Sequence, residues 1–92
     1  MIQSFKDKKA EKLYCGEFVP DYSGFDRQAV RRLQILDSAT SLDDLEKLPS
    51  NRFEALKSDR KGKYSIRINR QWRICFKWYD DRPQEIEVTY YH

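Results

Sequence analysis

Histidine, glycine and proline are all scarce in this chain of 92 residues: one His at the last position, three Gly and three Pro. A single terminal histidine, with no H-E-x-x-H helix, no paired Cys-x-x-Cys and no calcium loop, excludes the usual routes to metal catalysis. So few glycines leave no Gly-rich phosphate loop and no nucleophile elbow. The shortage of Gly and Pro also argues against a low-complexity or disordered chain. The longest apolar run is only a few residues, so no helix is expected to span a membrane. The opening "MIQSFKDKKAEKLYCG" has no apolar core of a signal peptide, which predicts a cytosolic address. Cys15 and Cys75 lie far apart, show no metal spacing, and are expected as reduced thiols.

What remains is charge and aromatic surface. The composition is 36% charged, 39% hydrophobic and 14% aromatic, with a net charge of +3. That describes one globular domain over residues 1–92, permissive of an acidic partner without demanding one.

The hydrophobic period divides the chain. "MIQSF" reads as a short strand, and "DKKAEKLYCG" as a short helix stopped near Gly16. "EFVPDYSGFD" reads as a loop. "FDRQAVRRLQILDSA" carries Val30, Leu33 and Leu36 at helical spacing, with Ala29 and Ile35 widening the stripe. Ser23 before Asp26 resembles a capping box for that helix. Ser41 before Asp44 opens "LDDLEKL", which Pro49 closes. Beyond it the period drops to two: "FEAL", "KYSIRI", "WRICFKWY" and "EIEVTYY" are four strand candidates joined by short connections. The adjacent acidic pairs Asp43–Asp44 and Asp80–Asp81 fall in a helix start and a turn, where capping and turn formation explain them.

These elements predict an α+β fold, a mostly antiparallel four- to five-stranded sheet with two to three helices packed on one face. The expected core is Val30, Leu33, Leu36, Leu45 and Leu48 against Ile66, Ile68, Ile74, Phe76, Ile86 and Val88. Strand parity then assigns Arg67, Arg73, Lys77, Thr89 and Tyr91 to an open second face. A cationic outer face has two readings: the solvated side of a half-buried sheet, or a surface that holds a polyanion. Lys57, Arg60 and Lys61 in "EALKSDRKG" precede the cationic strand. Arginine offers a fork that fits phosphate oxygens, lysine a compact charge. RNA brings its own nucleophile, the 2′-hydroxyl, so such a site needs alignment, charge stabilisation and proton transfer rather than a metal. His92, with an ordinary pKa of about 6.5, suits the last of these.

"NRFEALKSDRKGKYSIRINRQWRICFKW" resembles the signature segment of the HigB toxins, within the RelE superfamily of bacterial toxin–antitoxin systems. "MIQSF", "LDSATSLDDLEKLPSNR" and the terminal "YYH" fit the same pattern, so the likeness spans the chain. The resemblance implies a RelE-like fold and a toxin that enters the ribosomal A site and cuts messenger RNA without metal or cofactor. It implies neutralisation by a HigA-type helix-turn-helix antitoxin, through which alone operator DNA would be met. It further implies active-site roles for Lys57, Arg73, Tyr91 and His92. Arg60, Lys61, Arg67 and Lys77 become RNA-binding candidates, and Glu54, where some relatives carry His, a candidate proton acceptor. One departure stands out. Relatives often end in "DYH", whereas this chain has Tyr90 in place of Asp; following Ile86 and Val88 in parity, Tyr90 is expected to pack inward. The rival reading is a non-catalytic ParE-like inhibitor of DNA gyrase. A generic RNA-binding sheet ranks below both because no RNP1-like aromatic string is present.

Overall fold

The structure, a computed structural model, describes residues 1–57 and 62–90. Helices α1 (Lys8–Tyr14), α2 (Asp26–Ser38) and α3 (Leu42–Glu46) come first. Strands β1 (Glu54–Ala55), β2 (Lys63–Arg67), β3 (Trp72–Tyr79) and β4 (Arg82–Tyr90) follow, with 3-10 turns at Pro20–Tyr22 and Pro49–Asn51. The strands pair antiparallel in the order β1-β2-β3-β4, giving the expected α+β layer. No described helix is long and apolar enough to cross a membrane.

Each helix has its own start and stop. The Asp7 side chain accepts from the Lys9 amide at 2.9 Å and so caps α1. At the other end Gly16 sits at φ +90, the Gly16 amide donates to the Leu13 carbonyl, and Glu17 donates to Lys12. That is the Schellman pattern, which needs a residue free to adopt the left-handed region. For α3, Ser41 accepts from the Asp44 amide as expected, and Asp44 in turn accepts from the amide and hydroxyl of Thr40. The proposed Ser23 cap of α2 is corrected. Phe25 occupies the N-cap position without a side-chain bond, and Ser23 is spent closing the preceding 3-10 turn.

The core forms where the helix stripe meets the even parity of the strands. Leu33, Leu36 and Leu45 are fully buried with Ile66, Ile74 and Ile86, and Phe76 and Ile68 join them. Each such side chain contributes roughly 1.5–3 kcal/mol relative to exposure. Val30 and Val88 lie only at its margin. Leu48 is a correction: it is 39% exposed, because α3 ends at Glu46 and the residue before Pro49 is held in extended backbone, which turns it out of the helical stripe. Trp72 stacks on Phe25 at 4.9 Å and meets Tyr22 edge-on, extending the core toward the loop before α2.

The β3–β4 hairpin turns through Asp80 and Asp81, at φ 55 and 58. Two left-handed central residues match the twist of the flanking strands, and Asp tolerates that region better than most. "MIQSF" is not a full strand. Phe5 makes an isolated parallel bridge to Ile86, while Gln3 donates to the Pro83 carbonyl. The segment thereby covers part of the free edge of β4, where Pro83 is tolerated.

The second face of the sheet is less open than parity alone predicts. Ser65 and Cys75 are buried there and Arg73 is only 7% exposed, whereas Lys77 is exposed and Arg67 and Thr89 are half-buried. Short side chains at the centre are shielded by long ones around them, and the chain before β1 folds over Arg73. Both cysteines are free thiols, Cys15 exposed and Cys75 buried.

Candidate functional site

Arg73 stands on a central strand, directly opposite Arg67 on β2 and Thr89 on β4. Two like charges opposite one another repel, and a buried cation needs acceptors to offset lost hydration. Both demands are met locally. Arg67 Nε turns away and donates to the Asn69 carbonyl at 3.0 Å. Arg73 Nε donates to Ser65 Oγ at 2.9 Å, and Nη2 donates to the Ser65 carbonyl at 3.4 Å and to the Arg52 carbonyl. These oxygens hold the guanidinium fork in place.

The Arg52 carbonyl reaches Arg73 because of an uncommon backbone. Arg52 ends the 3-10 turn Pro49–Asn51 in the left-handed region, at φ 46 and ψ 50. Such a conformation costs a non-glycine residue on the order of 1–3 kcal/mol, and structures retain it where the surroundings demand it. Here it aims the carbonyl at Arg73 and sends the arginine side chain alongside. On the other flank, Asn69 Oδ1 accepts from the amides of Gln71 at 2.8 Å and Trp72 at 2.9 Å. That side-chain turn closes the β2–β3 connection and sets Arg70 at its tip. A groove of about 440 Å³ results, lined by Arg52, Glu54, Arg67, Asn69, Arg70 and Arg73.

Of the sequence-derived candidates, Arg73, Arg67 and Glu54 share this groove. Glu54 owes its place to β1, where it pairs with Ser65. Lys57 is exposed beyond the end of β1 and does not line the groove. Lys77 lies farther along the same face, opposite Lys63, and forms an ion pair with Glu85 at 3.1 Å. That hydrogen-bonded lysine holds the Glu85 carboxyl below its ordinary range. Arg60, Lys61, Tyr91 and His92 lie outside the described residues. The inward packing expected of Tyr90 is corrected: it pairs with Trp72 on the opposite parity from Thr89 and Arg73, and its ring meets the indole edge-on at 5.2 Å, but it stays 48% exposed because it lies at the margin of the core rather than within it.

Sequence reasoning missed Arg52, Ser65, Asn69, Arg70 and Glu87. Arg52 and Arg70 sit in connections, where alternation assigns no face. Ser65 was hidden by its size, although parity already set it beside Arg73. Glu87, half-buried opposite Cys75, is a carboxylate on the same face as Arg73.

An arginine-lined groove on a small antiparallel sheet is the setting in which the chain's relatives become informative. The family model described as RelE-like toxin of type II toxin-antitoxin system HigB matches residues 3–92. The chain belongs to that family. Toxin HigB-1 of Vibrio cholerae is 40% identical over 84 residues, covering 87% of this chain and 86% of that one. A protein of Proteus vulgaris named Endoribonuclease HigB is 30% identical over 93 residues and covers both chains in full. Among solved structures, YafQ from Escherichia coli superposes with a TM-score of 0.63 at 14% identity, covering 98% of this chain and 91% of that chain. The YoeB-YefM complex from Staphylococcus aureus gives 0.57 at 21% identity, covering 100% and 98%. These structural likenesses establish a shared fold.

Proposed function

We propose that the protein is a toxin that cuts messenger RNA on the ribosome, acting as an endoribonuclease without a metal or cofactor. The observation that carries this reading is the fixed guanidinium of Arg73, braced by Ser65 and the Arg52 carbonyl at the floor of an arginine-lined groove. Its full-length likeness to a protein named Endoribonuclease HigB supports the same chemistry.

In this mechanism the RNA supplies the nucleophile. Its 2′-oxygen attacks the adjacent phosphorus, and negative charge grows on the non-bridging oxygens as the phosphorane forms. Arg73 stabilises that charge from a position set before the reaction, which is where preorganised donors are most effective. Lys57 and Arg60 grip neighbouring phosphates, with Lys61, Arg67 and Lys77 as outer cations. Tyr91 and His92 orient the RNA or move protons to the leaving 5′-oxygen. Glu54, in the groove with Arg73, is the candidate acceptor of the 2′-hydroxyl proton. The ribosomal A site supplies the remaining alignment.

The whole span 1–92 acts as one RelE-like domain in the bacterial cytoplasm. Its antitoxin is of the HigA type, a helix-turn-helix protein through which the pair meets operator DNA. Membership of a type II toxin family supports a protein antidote, as does the likeness to a toxin–antitoxin complex.

Mapping the 5′ ends of a defined message, with and without translating ribosomes, tests the reading. Cuts at A-site codons that appear only with ribosomes are the expected result. An intact message beside a folded, toxic protein would overturn it and direct attention to gyrase.

A further inference from the structure

The groove at Arg73 does not stop at the β2–β3 turn. A second cleft of about 420 Å³ continues from it, sharing Arg52, Arg67, Asn69 and Arg70 and adding Arg32 of α2 and Ser50. Arg32 is firmly held. Its Nη1 donates to Asn51 Oδ1 at 2.8 Å and to Ser50 Oγ at 3.2 Å. Asn51 is itself fully buried and donates from Nδ2 to the Leu45 carbonyl at 3.0 Å. A buried amide thus pins one corner of an arginine that borders a cleft.

One acid, Glu54, lines the first of the two clefts, against five arginines across both. Among the described residues, no ion pair joins Arg32, Arg52, Arg67 or Arg70 to a carboxylate. Burial, and then the neighbouring Arg31, lower the pKa of Arg32, the mark of a cation short of compensation. Every cation lining the two clefts is an arginine, the side chain whose planar fork matches two oxygens of one phosphate. Gathering Arg32, Arg52, Arg67 and Arg70 with no ion pair to any of them among the described residues is unfavourable until a polyanion arrives.

We propose that the two clefts form one track for the sugar–phosphate backbone of a single RNA strand. The Arg73 groove takes the phosphodiester to be cut, and the cleft between Arg32 and Arg70 holds a flanking phosphate of the same strand. This rests on the endonuclease reading for which phosphate is cut, but not for the binding itself. Contacts of this kind fix register and carry no base sequence.

The test uses a short labelled 2′-O-methyl RNA, which binds but cannot be cut because its attacking hydroxyl is blocked. Its affinity is measured across a salt series for the parent chain, for Arg32→Gln and Arg70→Gln, and for Lys12→Gln on α1 as a control. Each single-strand phosphate contact adds about 0.7 to the slope of log affinity against log salt. Each arginine variant should therefore flatten the slope by about 0.7, while Lys12→Gln keeps the parental slope. Arg32→Gln can loosen the fold through Asn51; Arg70, exposed at the turn tip with no hydrogen bond or ion pair among the described residues, avoids that problem. Unchanged slopes for Arg70→Gln and a folded Arg32→Gln would overturn the proposal. So would a loss confined to ribosomes, where ribosomal RNA supplies the phosphates, or a parent chain that does not bind the free strand. Because the probe is never cut, these outcomes are separate from a failure of the endonuclease reading, which would show as an intact message.

Discussion

Arg73 and Lys77 lie four residues apart on the same face of the same strand, yet their surroundings differ completely. Arg73 is almost fully buried, with its fork bonded to Ser65 and to the Arg52 carbonyl. Lys77 is exposed and paired with the Glu85 carboxylate at 3.1 Å. Alternation put both on one face; burial and neighbours decided what each does there. The arginine has its fork held by Ser65 and the Arg52 carbonyl at a fixed place in the groove. The lysine has its charge partly neutralised by an acid and shares it with solvent, where salt screens it.

Breaking the buried end should have the largest effect. Arg73→Ala is expected to lower single-turnover cleavage on programmed ribosomes by at least about 10²–10³-fold, the usual loss for one preorganised donor at a developing oxyanion. Arg73→Lys keeps the charge but not the fork, so it should remain at least tenfold below the parent by the same reasoning. A folded Arg73→Ala protein that cuts at the parental rate would remove Arg73 from the mechanism.

Next in size is the brace. Ser65→Ala leaves a buried Arg73 Nε without its hydroxyl acceptor, which should cost about 1–3 kcal/mol in denaturant unfolding. The rate should fall while RNA affinity changes little, and Ser65→Thr, which keeps the hydroxyl, should restore part of the rate. Equal losses with Ala and Thr would mean that Ser65 matters only for packing.

Arg52→Gly separates the two uses of that residue. Glycine adopts the left-handed backbone freely, so stability should hold within about 1 kcal/mol or rise. RNA affinity should drop several-fold as the groove loses a guanidinium. A loss of stability without loss of binding would contradict this division.

The smallest effect belongs to the exposed end. Lys77→Gln should change stability by no more than about 0.5 kcal/mol and weaken RNA binding only at low salt. The sign of its pH dependence follows from Glu85, whose folded carboxyl lies below its ordinary value of 4.5 because Lys77 bonds it. A depressed folded value stabilises above the unfolded one and loses that contribution as pH falls through the folded one. The melting-temperature gap between parent and Lys77→Gln should therefore be present at neutral pH and close below 4.5. A gap that widens in acid would show that another group controls it.

Much of this architecture is legible in the sequence. Strands β2 and β3 follow a period of two, α2 follows a period of 3.6, and Ser41 marks the start of α3. What failed depended on backbone geometry that residue type does not encode. Ser23 has the right chemistry for a cap, but the 3-10 turn claims it. Leu48 has the right spacing for the core, but the helix ends two residues earlier. Parity set Arg73 on the second face, yet its burial follows from Arg52 turning left-handed, a conformation nothing in "NRF" announces. Arg52 and Arg70 escaped notice for the same reason: loops carry function without periodic signals.

The most direct test of the central claim is a structure of the protein on a ribosome programmed with a message carrying a 2′-O-methyl group at the scissile nucleotide. The account predicts that the phosphate beside that group lies within hydrogen-bonding distance of the Arg73 guanidinium, in the groove between Arg52 and Arg70. A message seated elsewhere, with Arg73 still bonded only within the protein, would contradict it.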